Sequence, residues 1–388
     1  MKEHIIKELE NLEENLIEIS DFICSNPELG NKEFMAMEKL INFLKSNGFS
    51  IEKNILNKAT AFKATFDSGK PGASIAYLCE YDALPQIGHG CGHNMIGTMS
   101  VGAAVALSKV LSKIGGKAVV FGTPAEETDG AKVAMAEQGA FKNIDVAMIL
   151  HPGEKTSESG SSLAMDALQF DFKGKTSHAA ASPHEGINAL DAVIQTFNGI
   201  NALRQHVTSD VRIHGIITEG GKAANIVPDR AIAQFYVRAD KKKYLKELVE
   251  KVKNIARGAA LMTGAVLNIS NYEISYDDMN TNNSLSTAFN DNLKYIGITD
   301  IEASRSSYGS IDMGNVSNVV PAIHPYISIT LDKPLISHTT EFRDATMTDT
   351  AHKALVKGAA ALALTGYDVI TDDELLEKIK VEFKKSIS

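Results

Sequence analysis

The chain contains the apolar run ASIAYLC (73–79), which is followed by two more, KAVVFG (117–122) and DVAMIL (145–150). Each run is apolar along its whole length and does not alternate, which is typical of strands buried on both faces of a sheet. Between the first two lies MIGTMSVGAAVALSKVLSKI (95–114), whose small and apolar residues predict a buried helix. Strands that alternate with helices in this way indicate an α/β domain with a mostly parallel sheet.

The pattern changes near Leu168, where alternating apolar and polar residues replace the continuous apolar runs. From LQFDFKG (168–174) to AVLNISNYEISY (265–276), the order strand, helix, strand, strand, helix, strand is that of a ferredoxin-like α+β unit. Near Asn282 the helix-and-strand pattern of the first part resumes. We therefore predict an α/β domain over 1–166 and 281–388 that is interrupted by a ferredoxin-like domain over 167–280.

Composition limits the class of protein and its partners. With 388 residues, 44% hydrophobic and 22% charged, the chain is predicted to form two globular domains. A net charge of -9 argues against a nucleic-acid partner, because phosphate binding needs clustered Lys and Arg. Three widely spaced cysteines do not form a disulfide framework, and the amphipathic helix expected over 1–23 is no signal peptide. No segment is expected to span a membrane, so we predict a cytoplasmic protein.

Acidic residues and a histidine follow the three apolar runs. ASIAYLC continues into Glu80 and Asp82, KAVVFG leads to Glu126 and Glu127, and DVAMIL ends at His151. In open α/β sheets, ligands bind outside the carboxyl ends of the strands. Each of these residues alone has a common structural explanation, such as a solvated glutamate or a hydrogen-bonded histidine. Their convergence on one sheet edge favours a metal site.

The turn GHGCGHN (88–94) follows the first strand and carries two further candidate ligands, Cys91 and His93. It precedes the buried helix, whose positive N-terminal end favours a thiolate. A thiolate and a neutral imidazole two residues apart can bind one cation, whereas His89 is expected only to shape the turn. With Glu127, His151 and one more histidine, the ligands suffice for one or two zinc, manganese or cobalt ions.

The neighbours of these ligands suggest hydrolytic chemistry. Asp82 is placed to orient a histidine ligand. In the pair Glu126–Glu127, one carboxylate would bind metal while the other takes a proton from metal-bound water. Such a water is a nucleophile for an amide carbonyl.

Several long motifs occur in one order along the chain. They are EYDALPQIGHGCGHN (80–94), GTPAEE (122–127), GKTSHAAASPHEGINAL (174–190), GGKAANIVPD (220–229), GSIDMGNVS (309–317) and SHTTEF (337–342). Together they resemble the M20 metallopeptidases, above all the amidohydrolase branch of aminobenzoyl-glutamate hydrolases, N-acyl-amino-acid hydrolases and related dipeptidases. The resemblance runs from NPELG (26–30) to beyond His338. It implies that the α/β domain is catalytic and that the ferredoxin-like domain is a lid that also forms a homodimer.

The resemblance also implies a ligand set and a general base. The implied metal ligands are Cys91, His93, Glu127, His151 and His338, and the implied general base is Glu126. In this branch the cysteine takes the place of the bridging aspartate of other members. Glu80 stands where those members have a metal-binding histidine, so it lies outside the predicted ligand set. His324 is a rival to His338, but the family pattern favours His338.

Four lid residues are candidates for contact with substrate. His178 corresponds to a histidine that in dimeric members reaches the neighbouring active site and stabilises the oxyanion. Asn225 corresponds to a residue that contacts substrate. His214 and Arg238 lie on predicted lid strands, where they either hold a substrate carboxylate or face solvent.

The function expected from these features is metal-dependent hydrolysis of an amide bond next to a free carboxylate, in an N-acyl or aminobenzoyl amino acid. The alternative within the class is a dipeptidase. A catalytically silent ligand-binding relative is a third candidate, which the presence of Glu126 disfavours. Asn94 stands where many amidohydrolases have aspartate, and Ile311 where threonine is expected, so the substrate is left open.

Overall fold

The computed structural model describes residues 1–304, 309–331 and 334–387. In chain order the strands are β1 (Ser50–Lys53), β2 (Phe62–Asp67), β3 (Ser74–Cys79), β4 (Lys117–Gly122), β5 (Val146–Met148), β6 (His151–Gly153), β7 (Ala164–Lys173), β8 (Arg212–Glu219), β9 (Arg230–Ala239), β10 (Val266–Asn271), β11 (Ala322–Ile323) and β12 (Tyr326–Ser328). The helices are α1 (Lys2–Ser25), α2 (Phe34–Ser46), α3 (His93–Ile114), α4 (Ala131–Glu137), α5 (Ala189–Leu203), α6 (Lys242–Thr263), α7 (Asn283–Tyr295), α8 (Met313–Ser317), α9 (Thr340–Ala345), α10 (Asp349–Thr371) and α11 (Asp373–Ser386).

The chain divides into two compact units. The second unit consists of Ser162–Asp278 together with a short stretch that ends at Ile311, and the rest of the chain forms the first. The domain predicted over 167–280 therefore begins and ends slightly late. It also omits the stretch near Ile311, which joins the second unit because the Leu163 amide donates to the Gly309 carbonyl at 2.9 Å. Such a long-range backbone contact has no local sequence signal.

The first unit is built on a six-stranded sheet with the order β1-β2-β4-β3-β5-β11. The three pairings from β4 to β11 are parallel, as the apolar runs predict, whereas β1 and β2 pair antiparallel at one edge. Those two strands were not predicted, although FKATFD (62–67) alternates apolar and polar residues as an antiparallel strand does. The fold class is therefore the expected α/β class with a mostly parallel sheet.

Helix α3 lies against this sheet and is buried over most of its length. Gly97 permits the close approach, because a Cβ at this position would lie 2.7 Å from the carbonyl oxygen of Glu80. By length and apolarity alone, the helices α3 and α10 are each sufficient to cross a membrane. However, 89% and 67% of their apolar windows are buried within the structure, which is the environment of core helices.

The second unit has a four-stranded antiparallel sheet with the order β10-β7-β9-β8. Alternate residues of β9 are buried, including Phe235 and Val237, and they pack with Val193 of α5 and Leu248 of α6. This order, with two helices on one face, is the predicted ferredoxin-like arrangement.

A two-stranded parallel sheet pairs β6 with β12 beside the main sheet of the first unit. His151 is paired with Tyr326 in this sheet. The apolar segment YISITL (326–331) forms a strand only over Tyr326–Ser328. Because β6 follows β5 and pairs with β12, His151 lies next to the segment that contains His324.

Candidate metal centre

The turn GHGCGHN leads directly into α3, which begins at His93. Gly92 has a φ of +76° and caps the helix, and a Cβ there would lie 2.4 Å from the Pro152 side chain. Glycine is therefore needed for both the left-handed backbone and the close approach to the residue after His151. The amide of His338 donates to the Gly90 carbonyl at 2.9 Å, so a distant segment is bound to the same turn.

His93 is buried between carboxylates. Its Nδ1 lies 3.0 Å from Asp82 Oδ1, and the Asp82 carboxylate also accepts from the Glu127 amide at 3.1 Å. Because Nδ1 donates to Asp82, Nε2 is the ring atom that is left for a metal. Nε2 faces Glu80 Oε2 at 3.5 Å and Glu127 Oε1 at 3.9 Å. The structure thus places Asp82 where it orients the His93 ring.

Five predicted site residues form two close groups of ligand atoms. Cys91, Glu127 and His338 form one group, and His93, Glu126 and Glu127 form the other, with all ligand atoms of a group within 4.8 Å of one another. Glu127 belongs to both groups. A pair of ligand groups that share a carboxylate is suited to one or two metal ions.

The Glu127 carboxylate tests whether these residues fit an ion. Its Oε1 is buried and has no hydrogen-bond partner among the described residues. The Nε2 atom of His338 lies 3.5 Å from it. Ligands that bind one ion at about 2 Å each lie at such separations from one another. A thiol, imidazoles and a carboxylate are ligands of zinc, cobalt and similar divalent ions, so the site fits the predicted class of metal.

His151 lies near these groups but belongs to neither of them within the described ranges. Its ring centroid is 6.1 Å from that of His93 and 5.6 Å from that of His324. Burial and the neighbouring His324 lower the pKa of His151 to about 3, so its ring is neutral, as a metal ligand must be. Its Nδ1 donates to the Pro152 carbonyl at 2.6 Å, which leaves Nε2 with the lone pair.

Cys91 differs from one expectation. Burial raises the pKa of its thiol to about 12, so the N-terminus of α3 alone does not produce the thiolate predicted from the sequence. The desolvation of a charged sulfur outweighs the helix dipole here. A cation would be needed to stabilise the deprotonated form.

The predicted general base, Glu126, is half-buried and follows a strained residue. Ala125 has a φ of +60°, and its amide donates to the buried carboxylate of Glu33 at 2.9 Å. Burial and the nearby carboxylates of Asp312 and Glu80 raise the pKa of Glu126 well above its usual value. A general base works best when its pKa lies near the operating pH, so a rise from the usual carboxylate value is in the direction that favours this role.

Sequence reasoning missed a buried lysine, Lys132, on α4. Its side chain is 0% exposed, and its Nζ lies 2.7 Å from Glu80 Oε1 and 2.6 Å from Asp312 Oδ1. Burial acts to raise the pKa of Glu80, but the Lys132 ammonium and the His93 ring outweigh it and lower the pKa. The acidic residues could be recognised as site candidates because they follow predicted strands. Lys132 could not, because a lysine near the start of a helix is normally solvated.

The lid candidates His178 and Asn225 lie on adjacent exposed loops of the second unit. The Ala179 amide donates to the Asn225 carbonyl at 3.0 Å. His178 Nδ1 accepts from the amides of Ala180 and Ala181 at 3.2 and 3.1 Å. The proton of the neutral ring therefore lies on Nε2, which is the donor that an oxyanion would need.

His214 and Arg238 both lie against Tyr236 in the sheet of the second unit. The ring centroids of His214 and Tyr236 are 5.5 Å apart, and the Arg238 guanidinium lies 5.5 Å from the centre of the Tyr236 ring. Arg238 also donates to Ser310 Oγ at 3.1 Å. The two side chains thus lie on the same sheet face, and their contact with substrate stays a prediction.

The two departures from the family pattern have different surroundings. Asn94 is buried, and its Nδ2 donates to Ser20 Oγ at 3.0 Å and to Thr346 Oγ1 at 3.3 Å. It therefore ties α3 to α1. Ile311 is half-buried and immediately precedes Asp312, one of the two partners of Lys132.

Known proteins resemble the chain both in sequence and in structure. The peptidase dimerisation domain of M20 proteins matches residues 165–262. The chain is 36% identical over 400 aligned residues to the Xaa-Arg dipeptidase of Mus musculus, covering 99% of this chain and 92% of that protein. It is 37% identical over 267 residues to one of the polypeptides of the p-aminobenzoyl-glutamate hydrolase of Escherichia coli, covering 63% of this chain and 55% of that protein.

A solved structure has the same fold. It is a dinuclear metal-binding peptidase of the M20 family from Bacillus subtilis, with a TM-score of 0.71, 18% identity and coverage of 93% of this chain and 100% of that one. At this identity the match establishes the fold alone. The near full-length sequence match establishes the family, and it agrees with a site that fits divalent metal and an adjacent carboxylate base. The protein is a metal-dependent hydrolase of amide bonds, and the chain belongs to the M20 family of metallopeptidases.

Proposed function

We propose that this protein is a dipeptidase that hydrolyses the peptide bond next to a free carboxylate. The observation that carries the proposal is the adjacency of Glu126 to Glu127, the carboxylate shared by both ligand groups. The extent of the match supports a dipeptide substrate, because the dipeptidase relative aligns with 99% of the chain. Hydrolysis of an aminobenzoyl or N-acyl amino acid is the second candidate, supported by the hydrolase relative that aligns with 63%.

The proposed ions are one or two of zinc, manganese or cobalt, held by Cys91, His93, Glu127, His151 and His338. When bound, they supply Lewis acidity and lower the pKa of water. Glu126 accepts a proton from the attacking water, whose oxygen bonds to the substrate carbonyl carbon. Glu126 then returns the proton to the leaving nitrogen as the carbon–nitrogen bond breaks.

We assign oxyanion stabilisation to His178. Its Nδ1 accepts two backbone hydrogen bonds, so an Nε2 proton is available to donate. Preorganised donors of this kind are among the largest contributions to hydrolytic catalysis. Asn225, His214 and Arg238 are proposed to contact the substrate, with Arg238 on its carboxylate.

We further propose that the protein is a cytoplasmic homodimer that pairs through its second unit. Strand β8 lies at the edge of the sheet and exposes Ile216 and Ile217, which are 62% and 44% exposed. Such an edge can pair with a second copy. All three cysteines, which lie in the described part of the chain, are free thiols, which supports a reducing compartment.

The dimer is tested with Ile216→Lys by light scattering of the full chain, because a charge on β8 should prevent pairing. Leu261→Lys on α6 is a matched control, since Leu261 is 87% exposed and lies on another element. The expected result is a monomer for Ile216→Lys and a dimer for Leu261→Lys. A wild-type monomer, or a dimer that survives Ile216→Lys, would overturn this assignment.

Activity is tested on metal-free protein reloaded with zinc, manganese or cobalt. The substrates are dipeptides with basic, neutral or acidic C-terminal residues, together with aminobenzoyl-glutamate and N-acyl amino acids. We expect the highest kcat/KM for a dipeptide, and loss of turnover with full metal content in Glu126→Gln. Turnover retained by Glu126→Gln would reject the base, and preference for an acylated amino acid would favour the second candidate.

A further inference from the structure

A row of charged side chains links the candidate metal centre to a lysine buried behind it. Glu80 uses its two oxygens differently, because Oε1 lies 2.7 Å from Lys132 Nζ and Oε2 lies 3.5 Å from His93 Nε2. The same lysine bonds Asp312 Oδ1 at 2.6 Å. Glu80 therefore stands between a permanent cation and a histidine atom that faces the metal position.

Glu80 lies beside the ligand atoms but belongs to neither of their two close groups. It is buried, it follows β3 at the edge where the other ligands converge, and its free oxygen faces the same Nε2 as Glu127 does. An uncompensated carboxylate at this point would favour cations that prefer oxygen ligands. The Lys132 ammonium offsets its charge and holds one of its oxygens.

Stability alone does not account for this arrangement. Lys132 is fully buried, as are Glu80 and Asp312. Replacing a buried ion triad with apolar residues of similar volume is often neutral or stabilising, so a triad of this kind is weak evidence for a stabilising role. Its position directly behind a metal-facing carboxylate points to control of the ion.

We propose that Lys132 is a positioning residue of the metal centre that keeps Glu80 out of the ligand set and thereby sets which divalent ion the site prefers. Lys132 lowers the affinity for oxygen-preferring ions such as Mn²⁺ more than the affinity for Zn²⁺, which binds well to cysteine and histidine. The inference rests on the metal centre of the proposed function. The inference is tested by measuring ion binding to the metal-free chain and not by activity. The role of Lys132 can therefore be disproved while the assignment as a hydrolase stands.

The test measures dissociation constants for Mn²⁺ and Zn²⁺ by competition with a chromophoric chelator, using metal-free full-length protein. For Lys132→Met we expect Mn²⁺ to bind at least about tenfold tighter, with a smaller gain for Zn²⁺, because a nearby positive charge is gone. For Glu80→Gln we expect Mn²⁺ to bind about tenfold more weakly, because a negative charge beside the metal position is lost while the Lys132 ammonium remains. The double variant, in which both charges are absent, should lie within about threefold of wild type.

Lys58→Met is a matched control, because Lys58 pairs with Asp129 near the Glu126–Glu127 turn but does not contact Glu80. It should leave the Zn²⁺ to Mn²⁺ preference unchanged. A folded Lys132→Met with unaltered preference would overturn the inference. If Lys132→Met does not fold, Glu80→Gln decides alone, since it keeps the Lys132–Asp312 pair, and an unchanged Mn²⁺ affinity would again overturn it.

Discussion

The carboxylate of Glu33 accepts a hydrogen bond from the backbone amide of Ala125 at 2.9 Å, across 92 positions of sequence. Ala125 has a φ of +60°, a left-handed conformation that costs a non-glycine residue about 1–2 kcal/mol. The other Glu33 oxygen accepts from Thr60 Oγ1 at 2.8 Å. Glu33 thus stabilises the strained residue immediately before Glu126.

Replacing Glu33 with Ala should slow catalysis more than it weakens substrate binding. Without the acceptor, the Ala125 amide is buried and unpaired, and the turn that carries Glu126 can relax. We expect kcat to fall by about tenfold, about 1.4 kcal/mol in activation free energy, with KM nearly unchanged. The measurement is steady-state kinetics on metal-loaded protein of verified metal content.

Thr60→Ala is the control for this prediction, because it removes the bond to the other Glu33 oxygen without altering the bond to Ala125. It should lower the free energy of unfolding by about 1 kcal/mol while leaving kcat within about twofold of wild type. Equal losses of kcat in the two variants would show that Glu33 acts only on stability.

Replacing His338 with Asn should remove a ligand, whereas replacing His324 should not. His338 Nε2 lies 3.5 Å from the unpartnered Glu127 Oε1, and His338 belongs to a close group of ligand atoms. Loss of a group that only orients a ligand typically weakens metal binding about 10–100-fold. Because His338 is expected to bind the ion directly, His338→Asn should weaken Zn²⁺ binding by more than this. Chelator competition on both variants is the measurement, and a larger loss in His324→Asn would reverse the assignment.

Replacing Asp82 with Asn should disorder two ligands at once. The Asp82 carboxylate accepts from His93 Nδ1 and from the Glu127 amide. An amide side chain would have to present its NH₂ group to one of these donors, so metal affinity should fall about 10–100-fold. Tyr81→Phe is a control, because the Tyr81 hydroxyl donates to the Thr60 carbonyl and its loss should affect stability alone. Unchanged metal affinity in Asp82→Asn would contradict the orienting role.

The pH dependence of stability can be tested away from the metal centre at Glu382 on α11. Burial acts to raise its pKa, but hydrogen bonds from the start of α7 outweigh burial and lower the pKa. The largest contribution comes from the Ser284 hydroxyl, which donates at 2.5 Å, and the amides of Ser284 and Asn283 also donate, at 2.9 and 2.6 Å. The folded pKa is below the unfolded value, so the stabilisation is complete above the unfolded value and is lost as the pH falls through the folded one.

Glu382→Gln should therefore lower the free energy of unfolding at pH 7 by about 0.5–2 kcal/mol, as for loss of a helix cap. The difference from wild type should shrink toward zero as the pH falls below the folded pKa. Urea unfolding of metal-free protein, at pH 7 and at a pH below the folded pKa of Glu382, measures this difference in the free energy of unfolding. Glu377→Gln, an exposed change on the same helix, should have no effect at either end. A difference that is equal at both ends would contradict the titration of Glu382.

Much of the architecture follows from local patterns. The continuous apolar runs 73–79, 117–122 and 145–150 predict the parallel strands β3, β4 and β5, because only strands covered on both faces can be apolar throughout. Alternation in RAIAQFYVRA (230–239) likewise predicts β9, with one face buried. Acids and a histidine directly after these strands predict a site at one sheet edge, since parallel strands end on the same side.

Partners that are distant in sequence could not be found in this way. Lys132 looks like a solvated helical lysine until α4, the end of β3 and the start of α8 enclose it between two carboxylates. Glu33 looks like an ordinary acid before a helix until Ala125 adopts a positive φ beside it. The α/β class of the first unit, the ferredoxin-like order of the second and a cluster of candidate ligands at one sheet edge could be inferred from local patterns. Strands β1 and β2 were not found in this way, and the full ligand set is implied by the family resemblance. Only the folded chain decides which charges are removed from water together, because desolvation and ion pairing depend on distances between segments that no local pattern encodes.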